Sequence, residues 1–216
     1  MAKMKDTASA TLIGDLIGSR VAEDREALHA RLAGALTEVN ETFAPTTPLR
    51  ITVGDEFQGA FATVGDALRA ALRLRMALLP AHDLRQGIGW GPVRVLAPEP
   101  RVEDGPGWWV ARDAISWVEG AEGRPSSRRR RTAFALAPDA EGPDPAAIET
   151  LLVLLDDAVA RVSARSLSIL RDLMAGASQR EIAERLGISP SAVSQRVRSD
   201  GLAALVSADQ TMGRIA

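Results

Sequence analysis

Between residues 10 and 96 short apolar runs alternate with long helical patterns in an order that few folds can accommodate. Ala10 to Gly14 is a short apolar run ending at Gly-Asp, the pattern of a buried strand. Residues 23 to 42 place Leu28, Leu32, Leu36 and Val39 on one helical face. Leu49 to Val53 and Gln58 to Ala62 read as two strands, with Gly-Asp-Glu-Phe between them as a hairpin turn. Residues 63 to 79 form a second amphipathic helix through Val64, Leu68, Leu72, Met76 and Leu79. Leu84 to Trp90 is a strand ending at Gly91-Pro92, and Val93 to Leu96 offers a continuation. The order β-α-β-β-α-β is the ferredoxin-like, split-βαβ arrangement of an α+β fold.

Downstream, residues 97 to 107 are rich in Pro, Gly and acid and read as a loop. Trp108 to Glu119 is helical, and Thr132 to Leu136 is a strand preceded by a polar loop. Within that loop Arg128 to Arg131 reads as an exposed basic segment, with contact to DNA or nucleotide phosphate as the alternative. Ala137 to Pro145 has the composition of a linker. Asp144-Pro145 then opens a helix with Leu151, Leu152, Leu155 and Val159 on one face. Three parts are expected: residues 1–140 as a ligand-sensing domain, 141–163 as a linker or dimerisation helix, and 164–216 as a small all-α domain.

Composition bounds the setting. Cysteine is absent, so no disulfide or thiolate metal site is available, and a reducing cytoplasm fits. No run of about 18 apolar residues is present, and the polar start MAKMKDTASA is not a secretion signal, so no membrane partner is expected. The net charge of −2 is split. Residues 164–216 carry seven arginines against five acids, and the body carries the acidic excess.

The C-terminal segment holds the most specific local pattern. Ser178 with Glu181 three residues on makes a capping box. Ala183 suits a close helix crossing, Gly187 a left-handed turn, and Ile188 a core plug. Ser189 then caps a second helix with Pro190 in its first position. Val193 and Val197 face inward. The segment resembles the helix-turn-helix of response regulators and sigma factors over about 45 residues. Such motifs insert the second helix into the major groove. The resemblance therefore implies DNA contact by Ser189, Ser191, Ser194, Gln195, Arg196 and Arg198, with Gln179 and Arg180 on the backbone. A helical hairpin used for protein contacts is the alternative. So mildly basic a module binds weakly alone, so a homodimer on double-stranded DNA is expected.

The acidic turns point to a second site. Asp15 follows the first strand and leads into Gly18-Ser19-Arg20. Asp55 and Glu56 follow Gly54 in the hairpin. The ferredoxin-like order brings the two turns side by side. Asp15 and Asp55 would then hold Mg²⁺ or Mn²⁺ together with nucleotide phosphates, and no other cofactor is expected. The backbone of Leu16, Ile17, Gly18 and Ser19 would cradle the phosphates, with Arg20 adding charge. An isolated Asp at a turn is often only structural. His29 and His82 lack ligand spacing.

These residues resemble the palm domain of class III nucleotide cyclases and of diguanylate cyclases with GGDEF motifs, from Thr11 to about Glu119. Asp15-Leu16-Ile17-Gly18 looks like the first metal turn, and Val53-Gly54-Asp55 like the second. Gly87-Ile88-Gly89-Trp90-Gly91-Pro92-Val93 looks like the glycine-rich strand. More closely, GDLIGSR, GDEFQG, that strand, WWVARDAI and the C-terminal motif together resemble the SatD family of bacterial proteins. Two departures matter. The cyclase purine-reading lysine falls at Ile51, and the asparagine four residues before the transition-state arginine falls at Trp108 if Arg112 is that arginine. Losing such donors costs roughly 10²–10³ in rate each. The resemblance thus implies a grip on a nucleotide-type ligand, with Glu56 as helper, Arg112 on phosphate and Trp108 or Trp109 stacked on a base or else packed in the core. The expected function is a transcription regulator whose ligand sets its DNA affinity. An active divergent cyclase or nucleotidyltransferase is the alternative, and a ligand-free DNA-binding protein a third.

Overall fold

The computed structural model describes residues 7–19, 24–125 and 127–216. Strand β1 (Thr7–Leu16) leads to helix α1 (Arg25–Phe43), then the hairpin β2 (Thr47–Val53) and β3 (Glu56–Phe61), helix α2 (Val64–Leu78) and strand β4 (Leu84–Pro98). The sheet runs β2-β3-β1-β4 with every neighbouring pair antiparallel, which is the expected split-βαβ order. The β2–β3 turn is tighter than expected. Val53 pairs with Glu56, leaving only Gly54 and Asp55 in the turn, and Gly54 takes φ 63°.

The stretch read as a loop from 97 to 107 is mostly ordered secondary structure. β4 continues to Pro98 and turns into β5 (Arg101–Asp104), and helix α3 (Pro106–Ala121) starts two residues later. Proline and glycine misled here because they sit at the hairpin tip and at the helix start, where neither interrupts the strand pairing. Strand β6 (Thr132–Leu136) lies parallel to the first half of β4. Its N–H groups at Thr132 and Phe134 are taken by Asp156 and Glu149 of α4 (Pro145–Ala160), so that helix closes the sheet edge.

The two faces of the sheet are packed differently. Leu12, Leu16, Phe57, Phe61 and Ile88 join α1 and α2 through Leu28, Leu32, Leu36, Leu68 and Leu72 in the main core. On the other face α3 lies almost on the backbone of β4. A Cβ at Gly87 would sit 2.3 Å from the Ala111 carbonyl oxygen, and one at Gly89 2.2 Å from that of Gly107. The alternate glycines of Gly87-Ile88-Gly89 are therefore a seat for a helix, while Ile88 points into the opposite core. Thr11 ties the layers together by donating to the carbonyls of Gly107 (2.8 Å) and Gly89 (3.2 Å).

Four short helices follow: α5 (Ala164–Met174), α6 (Gln179–Leu186), α7 (Pro190–Ser199) and α8 (Leu202–Met212). Their apolar faces, including Leu167, Ile182, Val193, Val197 and Leu205, are continuous with the core under α2. Buried Asp209 of α8 receives Arg73 at 2.8 Å and Arg69 at 3.5 Å, and Arg171 of α5 donates to the Met76 and Leu79 carbonyls. No described helix is long and apolar enough to cross a membrane.

Candidate functional site

The two acidic segments do meet, although Asp15 lies within β1, paired with Arg85 of β4, and not in a turn after the strand. Gly14 is opposite Phe57 in the β1–β3 register, and Asp55 Oδ2 accepts the Leu16 N–H at 3.1 Å. Asp15 and Asp55 are close enough to repel one another. Burial is the largest influence on Asp15 and lifts its carboxyl above the usual range, against the hydrogen bond and charge of Arg85.

Each carboxylate is partly engaged. Asp15 Oδ1 accepts from Arg85 Nε at 2.9 Å, and Arg85 also reaches Glu119 of α3 and Glu122 just past its end. Glu56 and Arg112 were both expected to serve a ligand, but they form a two-bond pair at 2.6 and 2.8 Å. The hydrogen bond from Arg112 is the main reason that the Glu56 carboxyl is held below its ordinary range. Among the described residues, Asp15 Oδ2 and Asp55 Oδ1 are left without a hydrogen-bond partner. No group of three His, Asp or Glu is placed to hold a metal ion among the described residues. A hard cation prefers at least six oxygens. Two carboxylate oxygens therefore fit an ion that arrives with phosphate and water ligands, rather than one bound by protein alone.

Several expected ligand contacts are corrected. The Leu16 N–H is spent on Asp55 and that of Ile17 on the Asp83 carbonyl (2.9 Å), so the expected cradle loses two of its four residues and keeps only Gly18, at φ 75°, and Ser19. Arg20 lies outside the described residues. Trp108 is only 9% exposed and packs with Ile13, Ala60, Ala111 and Ile115, so it fills the core between α3 and the sheet and cannot stack on a base. The adjacent Trp109 is 57% exposed, and its indole N–H donates to Asp104 at 2.8 Å. A helix alternates buried and exposed positions within two residues, which Trp-Trp in sequence does not resolve. The arginine run also divides. Arg130 and Arg131 are not in an exposed loop: Arg130 binds Glu149 (2.7 Å) and Arg131 binds Asp83 (2.9 Å), while Arg128 and Arg129 stay exposed.

A cavity of about 310 Å³ opens beside the acid turns, between β1, the β2–β3 turn and the first turns of α1. Leu16, Leu28 and Leu32 form apolar wall, with Ser19, Arg25, His29 and Asp55 as polar groups. Arg25, His29 and Arg85 were missed in the sequence. Histidine spacing says nothing about a wall assembled from three elements, and Arg85 meets Asp15 only through the β1–β4 register.

In the C-terminal helices, α6 ends at Gly187 in a left-handed conformation (φ 65°), and Ser189 caps α7 by accepting the Ala192 N–H at 3.2 Å. The capping box of Ser178 and Glu181 is formed. Val193 and Val197 are buried, while Gln179, Arg180, Ser189, Ser191, Gln195 and Arg198 are exposed and Ser194 and Arg196 half-buried. Arg198 donates to Ser194 at 2.9 Å, and Arg180 pairs with Glu184 at 3.3 Å.

No curated protein sequence matches the chain. Among solved structures, a bacterial light-regulated adenylyl cyclase is similar, with 13% identity over 60% of this chain and 76% of that one at a TM-score of 0.46. The guanylate cyclase domain of RhGC from Catenaria anguillulae in complex with GTP is similar at 16% identity, over 50% of this chain and 72% of that one, with a TM-score of 0.41. The SatD family model matches residues 10–212, nearly the whole of the β-sheet body and all four C-terminal helices, and the chain belongs to the SatD family.

Proposed function

We propose that this protein is a DNA-binding transcription regulator, and that its acid-turn domain binds a nucleotide-type ligand with Mg²⁺ to set DNA affinity. The observation that carries the reading is the position of α7. Helices α5 and α8 take up the docking on α2, and α7 packs on α5, α6 and α8 alone to any extent. Its outer face, with Ser191, Gln195 and Arg198, is left open to a major groove as a helix-turn-helix requires. Selection of a preferred duplex from a random pool, followed by fluorescence anisotropy, tests this. Gln195→Ala and Arg198→Ala are each expected to weaken the selected site by about 10- to 100-fold, because a good bidentate base contact contributes about 1–3 kcal/mol of discrimination. Equal affinity for all duplexes in wild type and variants would sink the DNA half.

For the ligand, Asp15 Oδ2 and Asp55 Oδ1 would hold the cation. A cation held there would supply positive charge against a nucleotide's phosphates. Gly18 and Ser19 would donate to phosphate, and the cavity walled by Leu28, His29 and Arg25 would take the remainder. Ile51 and Trp108 are apolar where cyclases place polar donors, and Arg112 is committed to Glu56, which supports binding rather than cyclisation. Calorimetry with a panel of nucleotides is expected to give Mg²⁺-dependent binding that is lost in Asp15→Asn with Asp55→Asn. The bound nucleotide is expected to shift DNA affinity by about 5- to 150-fold. Absence of heat with every nucleotide, with or without Mg²⁺, rejects the sensor half. Helix α4 exposes Val153 and Leu154 and is the proposed dimer seam, although it also packs on β6 and α2.

A further inference from the structure

We infer that DNA is gripped by the sheet-bearing body as well as by α7, along an arginine path that runs from the loop before β6 to the C-terminal end of α7. The inference rests on the DNA reading above. The path starts at Arg128 and Arg129. Their neighbours Arg130 and Arg131 are used up inside the fold by Glu149, Asp156 and Asp83. Arg128, by contrast, is exposed, and its guanidinium has no hydrogen-bond or ion-pair partner among the described residues. Arg129 is exposed and meets Asp157 of α4 at 2.6 Å. The other oxygen of the same carboxylate holds Arg161 at 2.7 Å, at the end of α4. One aspartate thus gathers two arginines on one surface.

The chain then turns at Ser163, and the exposed Arg165 opens α5. The next residue, Ser166, donates its hydroxyl to Asp200, the residue that ends α7. Arg165 is thereby one residue from a contact with the C-terminal end of α7, whose last turn carries Arg196 and Arg198. Arg128, Arg129, Arg161 and Arg165, with Arg196 and Arg198 at the far end, stand against Asp157 and Asp200 and form a cationic track on a protein whose net charge is −2. Between the loop and α4 the surface is concave, about 290 Å³, with Ser127, Arg128, Arg129 and Asp157 on its walls.

The partner chemistry that fits is a polyanion with regularly spaced phosphates, extending from the groove that α7 enters. Exposed guanidiniums on separate elements, with no acidic pocket to read a base edge, contact phosphate and carry no sequence information. They add affinity through release of counterions, which offsets the small charge of the α5–α8 segment.

The experiment is a salt series on the full chain with its selected duplex, comparing wild type with the triple variant Arg128→Ala, Arg161→Ala, Arg165→Ala. The slope of log K against log salt is expected to fall by about 0.9 for each arginine removed, or about 2–3 in all, with sequence preference kept. The corresponding triple Arg→Lys variant is expected to keep the wild-type slope, because the slope counts charge. A slope unchanged in the alanine variant overturns the path while leaving α7 as the DNA contact. A wild-type chain that binds no duplex at any salt overturns both.

Discussion

Arg75→Ala is expected to lower the unfolding free energy by about 3–5 kcal/mol, the range for removing one partner of a buried ion pair. Arg75 is 3% exposed. It holds Asp83 through two bonds of 2.7 and 3.2 Å and Asp156 through one of 2.8 Å. Asp156 also accepts the N–H groups of Arg131 and Thr132 at 2.7 and 3.0 Å, so this one guanidinium lets α4 hold the edge of β6. Its loss takes the shared cation from both carboxylates, leaving Asp83 with Arg131 alone and buried Asp156 with Arg130 only at 3.7 Å. Urea denaturation followed by circular dichroism measures the change. A second variant, Asp156→Asn, gives a cycle with Arg75→Ala in which the double change should cost much less than the sum, since both act on one network. Additive losses, or a loss under 1 kcal/mol from Arg75→Ala, would show that the network contributes little to holding α4.

Gly89→Ala is expected to have an effect of similar size by a different route. The added methyl would stand 2.2 Å from the Gly107 carbonyl oxygen and 2.6 Å from the Ala111 nitrogen. Both are backbone atoms, so relief requires α3 to lift from the sheet. Overpacking typically costs about 1–3 kcal/mol and more where only backbone can yield. In a chain of this length about 3 kcal/mol corresponds to a drop of roughly 6–12 °C in Tm. Lifting α3 would also carry Arg112 away from Glu56. Gly120→Ala, on the same helix with nothing within 4 Å of the new atom, is the comparison. It should be neutral or gain up to about 1 kcal/mol from helix propensity. Equal melting of the two variants would contradict the seating of α3 on β4.

These two sites show why some of the molecule was readable before any coordinates and some was not. The helices were legible because apolar residues recur along them at the helical period, and the capping box at Ser178 and Glu181 is spelled in four consecutive positions. The acid turns were legible because strand order follows from the β-α-β-β-α-β alternation, and order alone places Asp15 beside Asp55. Strand β5 was hidden because Pro98, Pro100, Gly105 and Pro106 look like loop, although Pro98 is the last paired residue of β4 and the other three only flank the paired residues. The Arg85–Asp15 pair depends on register, and a one-residue slip would send Arg85 to the other face of the sheet.

Local periodicity and caps, which act over a few residues, settled the β-α-β-β-α-β order of the first six elements, the α6–α7 turn and the approach of Asp15 to Asp55. The partners of each charge were settled by three-dimensional packing alone. Glu56 holds Arg112, Arg131 turns inward while Arg128 stays outside, and Trp108 fills the core while Trp109 faces solvent. Charge pairing and burial depend on contacts between residues far apart in the chain, such as Arg73 and Asp209, 136 positions apart, and no local pattern encodes a contact of that span. That Asp15 and Asp55 lie side by side could therefore be read from the chain, but not that Arg85 already lies on one of them.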